Sequence, residues 1–170
     1  LREWGIMLLV GGGLIAAAAA MGWWIVAGVL LLALLAGLAF FRDPVRRVRP
    51  PARPGELLAP ADGRISAIER VPTHEAVDGP AVVIRIYLSV FNVHVNRCPC
   101  PAEVLGTRHQ PGRHLDVRDP ASARENEWLL MSPRRTDDGV RIGVRQIAGL
   151  VARRIVCGVT TGRRLDRRQK

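Results

Sequence analysis

One carboxylate and one imidazole stand out in this chain as groups able to do chemistry together. Residues 87–97 read Tyr-Leu-Ser-Val-Phe-Asn-Val-His-Val-Asn-Arg, an alternating apolar run that delivers His94 between Asn92 and Asn96 and beside Arg97. Upstream, residues 59–65 read Ala-Pro-Ala-Asp-Gly-Arg-Ile and place Asp62 in a tight turn. Asp and Gly supply the backbone freedom such a turn needs. A carboxylate that orients an imidazole and stabilises its cation makes a general base, able to take the proton from a hydroxyl nucleophile. Taken singly, Asp62 is also an ordinary turn residue, and His94 a satisfied structural histidine on a strand. Asn92, Asn96 and Arg97 read equally well as pocket lining or as a strand end satisfying its own backbone. In a pocket, Arg97 would suit phosphate oxygens, which a guanidinium grips bidentately.

The other reactive side chains form no such set. His74, His109 and His114 have no carboxylate or thiol at ligand spacing, so no metal is expected and the two flanking Pro111-Gly112 read as solvated loop histidines. Cys98, Cys100 and Cys157 make no disulfide framework. Cys98-Pro99-Cys100 is too tightly spaced for a zinc knuckle without a second pair, and Cys157 in its Ile-Val-Cys-Gly run reads as core. Glu127, after Asn126 and near Trp128, reads equally well as a functional residue or as a cap for the next element.

The elements that must carry these groups are mostly strands. Leu57–Ala59 and Arg64–Arg70 flank the Asp62 turn. Ala81–Val90 is β-branched and reads as a central strand. Pro101–Arg108 is a further candidate. Trp128–Ser132 and Val140–Ile147 flank Asp137-Asp138-Gly139, a hairpin signal. Residues 145–159 read as strand, bend, strand, with a helix over 147–155 as the other reading. The expected fold is α+β: a β-rich, sandwich- or barrel-like domain at 56–170, behind a Pro/Arg-rich linker at 43–55 and an N-terminal hydrophobic helical hairpin at 1–42.

That N-terminal segment carries no charge from Gly5 to Phe41. As one helix it would measure roughly 55 Å against about 30 Å of bilayer hydrocarbon. A break at Met21-Gly22-Trp23-Trp24 gives two shorter helices with the tryptophans at an interface. Arg2 before the run, and Arg42, Arg46, Arg47 and Arg49 after it, set both ends on the cytoplasmic side. A cleaved signal peptide and a buried core segment are the other readings. The formal charge is +10, with Lys170 the only lysine. Such a basic globule is drawn to anionic lipid surfaces. Nucleic acid would attract it too, but beyond the anchor only Tyr87, Phe91 and Trp128 could stack on bases, so no nucleic-acid partner is expected.

Taken in order, several segments resemble the short bacterial and archaeal phosphatidylserine decarboxylases. They are Phe40-Phe41-Arg42-Asp43-Pro44, Pro60-Ala61-Asp62-Gly63, Ser89–Arg97, Pro111-Gly112, Asn126-Glu127 and Gln146–Cys157. The resemblance spans residues 40–165. It implies a self-processing pyruvoyl enzyme of phospholipid biosynthesis that converts phosphatidylserine to phosphatidylethanolamine. In that family a proenzyme cuts itself at a Gly-Ser bond, and the serine becomes a pyruvoyl cap on a small alpha chain. The ketone of the cap condenses with the substrate amine and serves as electron sink while carbon dioxide leaves. The resemblance assigns Asp62 and His94 to the self-cleavage triad, and to His94 a later proton transfer at the substrate.

None of Ser66, Ser89, Ser122 and Ser132 follows glycine, and the expected cleavage site would fall after Lys170. The resemblance therefore implies that these residues form most of the large beta subunit, with the pyruvoyl group on a separate small chain. It further implies an assembly of several such pairs at the cytoplasmic face of the inner membrane. Two other readings stand beside it. A lipoyl- or biotinyl-carrier domain would need a lysine at a hairpin tip, which this sequence lacks. A membrane-tethered basic module binding nucleic acid or a protein would give Asp62 and His94 no role.

Overall fold

The computed structural model describes residues 2–46, 53 and 55–170. The chain divides into two units, one comprising the residues up to Val45 together with Val90–His94, the other Arg46–Ser89 and Val95–Lys170. In the smaller unit, α1 (Arg2–Ala20) and α2 (Trp24–Phe40) are separated by a turn at Met21–Trp23 in which Gly22 has φ of +75°. The break thus falls where the Gly-Trp-Trp sequence predicts it. The helices lie close together at Gly11 against Leu34 and Gly37 against Met7. Trp4 donates its indole N–H to the Phe41 carbonyl, joining the two free ends. At about 1.5 Å per residue, 19 and 17 residues give lengths of about 28 and 26 Å. Among the described residues no helix is long and apolar enough to cross a membrane.

The larger unit holds two antiparallel sheets, so the protein is α+β. Strands β1 (Arg64–His74) and β2 (Gly79–Tyr87) pair with each other alone, as a ribbon. The second sheet has the order β5-β4-β3-β6. Its members are β3 (Ala102–Gln110), β4 (Trp128–Arg135), β5 (Val144–Ile147) and β6 (Arg164–Leu165), with a one-turn helix α3 (Ser122–Glu125) between β3 and β4. The Asp-Asp-Gly hairpin forms as its residues predict. Gly139 takes φ of +72°, and Trp128, Leu129, Leu130 and Met131 face Ile147, Gln146, Arg145 and Val144.

The inner strands are β4 and β3, and the first four residues of β4 are all buried. Ala81–Val90 was expected in that place. Its strand, β2, instead belongs to the ribbon and stops at Tyr87, so His94 lies in irregular backbone rather than on a strand. Leu57–Ala59 forms no strand, and residues 148–163 carry neither the second strand nor the helix expected of them. Most of the expected linker at 43–55 lies outside the described residues. One core cluster joins Cys98, Cys100, Ala102, Val104, Met131 and Leu165. A smaller one, Ala76 with Trp128 and Leu130, seats the tip of the ribbon on the four-stranded sheet. Ion pairs Arg108–Glu75 and Arg141–Asp78 hold the same tip.

Candidate active site

Asp62 stands in the turn that leads into β1, half exposed and ion-paired with Arg46. Its position is set by Gly63. A β-carbon there would lie 2.5 Å from the Tyr87 carbonyl oxygen and 2.7 Å from Ile86 Cγ2, so only glycine lets the turn close onto the end of β2. The Pro60 carbonyl accepts the Arg97 amide at 2.8 Å, and the Pro99 carbonyl accepts the Leu58 amide at 3.0 Å. The Asp62 turn is therefore fastened at both ends of residues 88–96, to Tyr87 on one side and to Arg97 on the other. Residues 97–98 are in turn bound to the C-terminal stretch. Cys98 donates to the Gln169 carbonyl at 2.7 Å, Arg168 donates to the Cys98 carbonyl at 2.8 Å, and the Arg97 guanidinium reaches the Arg168 carbonyl at 3.4 Å.

His94 belongs to the smaller unit. Its half-buried ring stacks on Phe40, with centroids 4.5 Å apart and planes inclined by 30°. Nδ1 lies 3.0 Å from the Asn92 carbonyl oxygen. A carbonyl only accepts, so in the neutral ring Nδ1 carries the hydrogen and Nε2 keeps its lone pair. That is the tautomer a general base requires. Asn92 takes part through its backbone. Arg42 at the end of α2 caps the helix through the Ala39 carbonyl at 2.8 Å and donates to the Phe91 carbonyl at 2.5 Å. Sequence reasoning missed Phe40 as the platform and Arg42 as the tether. The Phe-Phe-Arg-Asp-Pro segment was the signal for both.

The remaining shared segments have structural work. Asn126 is 1% exposed. Its carbonyl oxygen accepts the Leu115 amide at 2.8 Å, and its amide nitrogen donates to the Leu115 and Ala148 carbonyls at 2.9 Å each. One side chain thus closes two loops against the start of β4. At Gly112 a β-carbon would come within 2.5 Å of Asn126 C and the Glu125 carbonyl oxygen, which accounts for Pro111-Gly112.

Glu127 is no helix or strand cap. It receives His109 Nε2 at 2.9 Å and His114 Nε2 at 3.3 Å, and the same His114 nitrogen lies 2.8 Å from the Arg153 carbonyl. The bond from His109 holds the Glu127 carboxyl below the usual range. Of these two histidines, expected to be solvated loop residues, His109 is exposed but sits on β3 and His114 is half buried, and both meet Glu127. Cys98 and Cys100 are buried, and desolvation raises both thiols, Cys100 to about 11. Cys157, expected in the core, is half buried.

The fold is α+β, with an imidazole held at Nδ1 in the smaller unit and a turn carboxylate in the larger, each a group of acid–base type. A sequence model of the family described as Phosphatidylserine decarboxylase matches residues 36–170, and the chain belongs to that family. It is 44% identical over 140 residues to the phosphatidylserine decarboxylase proenzyme of Pelobacter propionicus, a match covering 80% of this chain and 60% of the relative. The proenzymes of Symbiobacterium thermophilum and Nitrosomonas europaea are 43% and 42% identical, over 81% and 82% of this chain and 65% and 62% of theirs. The chain thus spans about three fifths of the length of these relatives.

Proposed function

We propose that this chain is most of the large subunit of a self-processing pyruvoyl enzyme that decarboxylates phosphatidylserine to phosphatidylethanolamine. The observation that carries the reading is His94 Nδ1 at 3.0 Å from the Asn92 carbonyl oxygen: a neutral ring that donates there keeps Nε2 as acceptor for the proton of a serine hydroxyl. Family membership and the name proenzyme borne by the relatives support the rest.

The pyruvoyl group belongs to a small partner chain and supplies an electron sink for the electrons freed as carbon dioxide leaves. The side-chain types suit such a group: a base, a carboxylate and a guanidinium, while the thiols of Cys98 and Cys100, next in sequence to Arg97, are buried and raised, which keeps them from competing for a ketone. His94 removes the serine proton during self-cleavage and later handles a proton at the substrate. Asp62 stabilises the imidazolium in the working arrangement, which requires that it exchange Arg46 for the histidine. Arg97, with Asn92 and Asn96, lines the substrate site and meets the lipid phosphate.

The proposal extends to location and assembly. Residues 1–42 form a membrane-associated helical pair, 43–55 a linker, and 56–170 a sandwich- or barrel-like decarboxylase domain. Leu9, Trp24, Ile25 and Leu32 are each more than two-thirds exposed on the helices, which suits burial in the apolar edge of a bilayer. The complex then works at the cytoplasmic face of the inner membrane, as an oligomer of large–small pairs, with no nucleic-acid partner.

Intact mass spectrometry of the full gene product tests the central claim. A cleaved small chain whose mass carries a pyruvoyl cap is expected. Protein that stays uncut with Asp62 and His94 intact would sink it. His94→Ala should abolish processing while the fold is retained.

A further inference from the structure

The β1–β2 ribbon is built the wrong way out for a free-standing domain. Cross-strand partners share a face, and the pairs Ile65–Ile86, Ile68–Ile84 and Arg70–Val82 set five apolar side chains and one arginine on one side. Ile65, Ile68, Val82 and Ile84 on that side are 57, 64, 57 and 55% exposed. The opposite side carries the smaller Ala67, Ala81 and Val83, with the Glu69–Arg85 ion pair. A row of β-branched side chains about 13 Å long on β2, at about 3.3 Å per residue, flanked by Ile65 and Ile68 of β1, is a surface that soluble proteins keep covered.

We propose that this outward face is the docking surface for the small chain of the decarboxylase, which lays apolar strands across it. The proposal rests on the functional reading above, from which the existence of a small chain follows. Two observations select this occupant. The relatives are longer, this chain spanning 60 to 65% of their length, so polypeptide is available to cover the face. The root of the ribbon is also where the C-terminal residues are held: Gln169 and Arg168 bond Cys98, while the adjacent Arg97 bonds Pro60, just ahead of β1. A segment originating downstream of Gln169 starts at the ribbon's root and needs no long crossing to reach it. A lipid surface fits less well, because the face has one cation and no tryptophan or tyrosine, the residues that favour a membrane interface. Sheet-on-sheet packing at about 10 Å gives the small chain a dry seat beside the Asp62 turn.

The test uses the complex obtained from the full-length proenzyme, comparing wild type with a variant carrying Ile68→Arg and Ile84→Glu. The two new charges face each other across the ribbon, so the strands keep an attractive pair. Residues 1–170 bearing the same changes should show an unchanged unfolding midpoint, since both side chains are exposed. Native mass spectrometry should find the small chain released from the variant with at least a ten-fold weaker apparent Kd. Hydrogen exchange of residues 64–87 should slow in the wild-type complex relative to residues 1–170 alone. Retention of the small chain within two-fold, or identical exchange with and without it, overturns the proposal. So does a variant that keeps its small chain but loses large–large association, which would assign the face to a second copy. A wild-type proenzyme that yields no small chain fails the functional reading itself and takes this assignment with it.

Discussion

Replacing Asn126 by alanine is the sharpest stability test of this architecture. The side chain is 1% exposed and makes three hydrogen bonds, to the Leu115 amide, the Leu115 carbonyl and the Ala148 carbonyl. Alanine strands all three backbone groups in a buried site. Each such hydrogen bond contributes about 1 to 1.5 kcal/mol net, and a stranded buried group costs up to about 3 kcal/mol. Water entering the vacated space relieves part of this, which points to a loss of about 3 to 5 kcal/mol. Against a total stability of about 5 to 15 kcal/mol for a domain, that is a large fraction.

Urea unfolding of residues 1–170, followed by far-ultraviolet circular dichroism, reads the loss directly. With a slope of about 2 kcal/mol per molar urea, the midpoint should fall by about 2 M at constant slope. Asn126→Asp keeps the acceptor for Leu115 but points a carboxylate oxygen at two carbonyls. It should therefore be closest to wild type at low pH, where a protonated acid donates to one of them. An alanine variant that loses less than about 1 kcal/mol would refute the reasoning, because the loops at 115 and 148 would then be held by something else.

Three further outcomes are expected. Gly63→Ala pushes a methyl group into the Tyr87 carbonyl, so the Asp62 turn must move; self-cleavage of the proenzyme, timed on gels, should slow by about a hundred-fold, the order that a misplacement of about 1 Å produces. Arg135 clamps Asp137 through two nitrogens at 2.9 and 2.5 Å and holds its carboxyl at about 2, below the ordinary 3.8. Because the folded value is the lower one, the stabilisation is present above pH 4 and is lost as pH falls towards 2, and Asp137→Asn should flatten the stability–pH curve in that window. Finally, iodoacetamide at pH 8 should label native protein at Cys157 and spare Cys98 and Cys100 until urea is added, since raised buried thiols hold little thiolate; early labelling of Cys100 would count against its buried place in the core.

Local chemistry was readable from the sequence wherever a short stretch decides its own conformation. Asp137-Asp138-Gly139 and Met21-Gly22-Trp23 each specify a turn, and both turns form as expected. Period and composition could not rank the strands. The β-branched run in β2 suggests a buried centre, yet burial depends on which strands stack above it, and β4 takes that place while β2 lies in the ribbon. The end of β2 was misjudged because 88–95 alternates like a strand, yet the strand stops at Tyr87 and the stretch beyond it is irregular. Asp62, His94 and Arg97 were legible as candidates from residue type and order. Their fastenings were not, since Gly63 against Tyr87, Pro60 with Arg97 and His94 on Phe40 join residues 24 to 54 positions apart. The partners of Glu127 were hidden for the same reason: its histidines come from β3 and the following loop.

The pairing of β6 with β3 also imposes an order in time. Ala102 meets Leu165, 63 positions downstream, and Cys98 waits for the Gln169 carbonyl. During synthesis the β3 edge of the four-stranded sheet stays open, and the Cys98 amide waits for its carbonyl partner, until residue 169 has cleared the ribosome. Contacts of such long sequence separation form late in folding. The stretch at 97–98, whose Arg97 amide already holds Pro60 beside the Asp62 turn, gains its second set of bonds only when residues 168–169 arrive. The topology thus sets a sequence of closure: residues 58–63 can settle on Tyr87, Arg97 and Pro99 first, and the β3 edge and Cys98 close behind them.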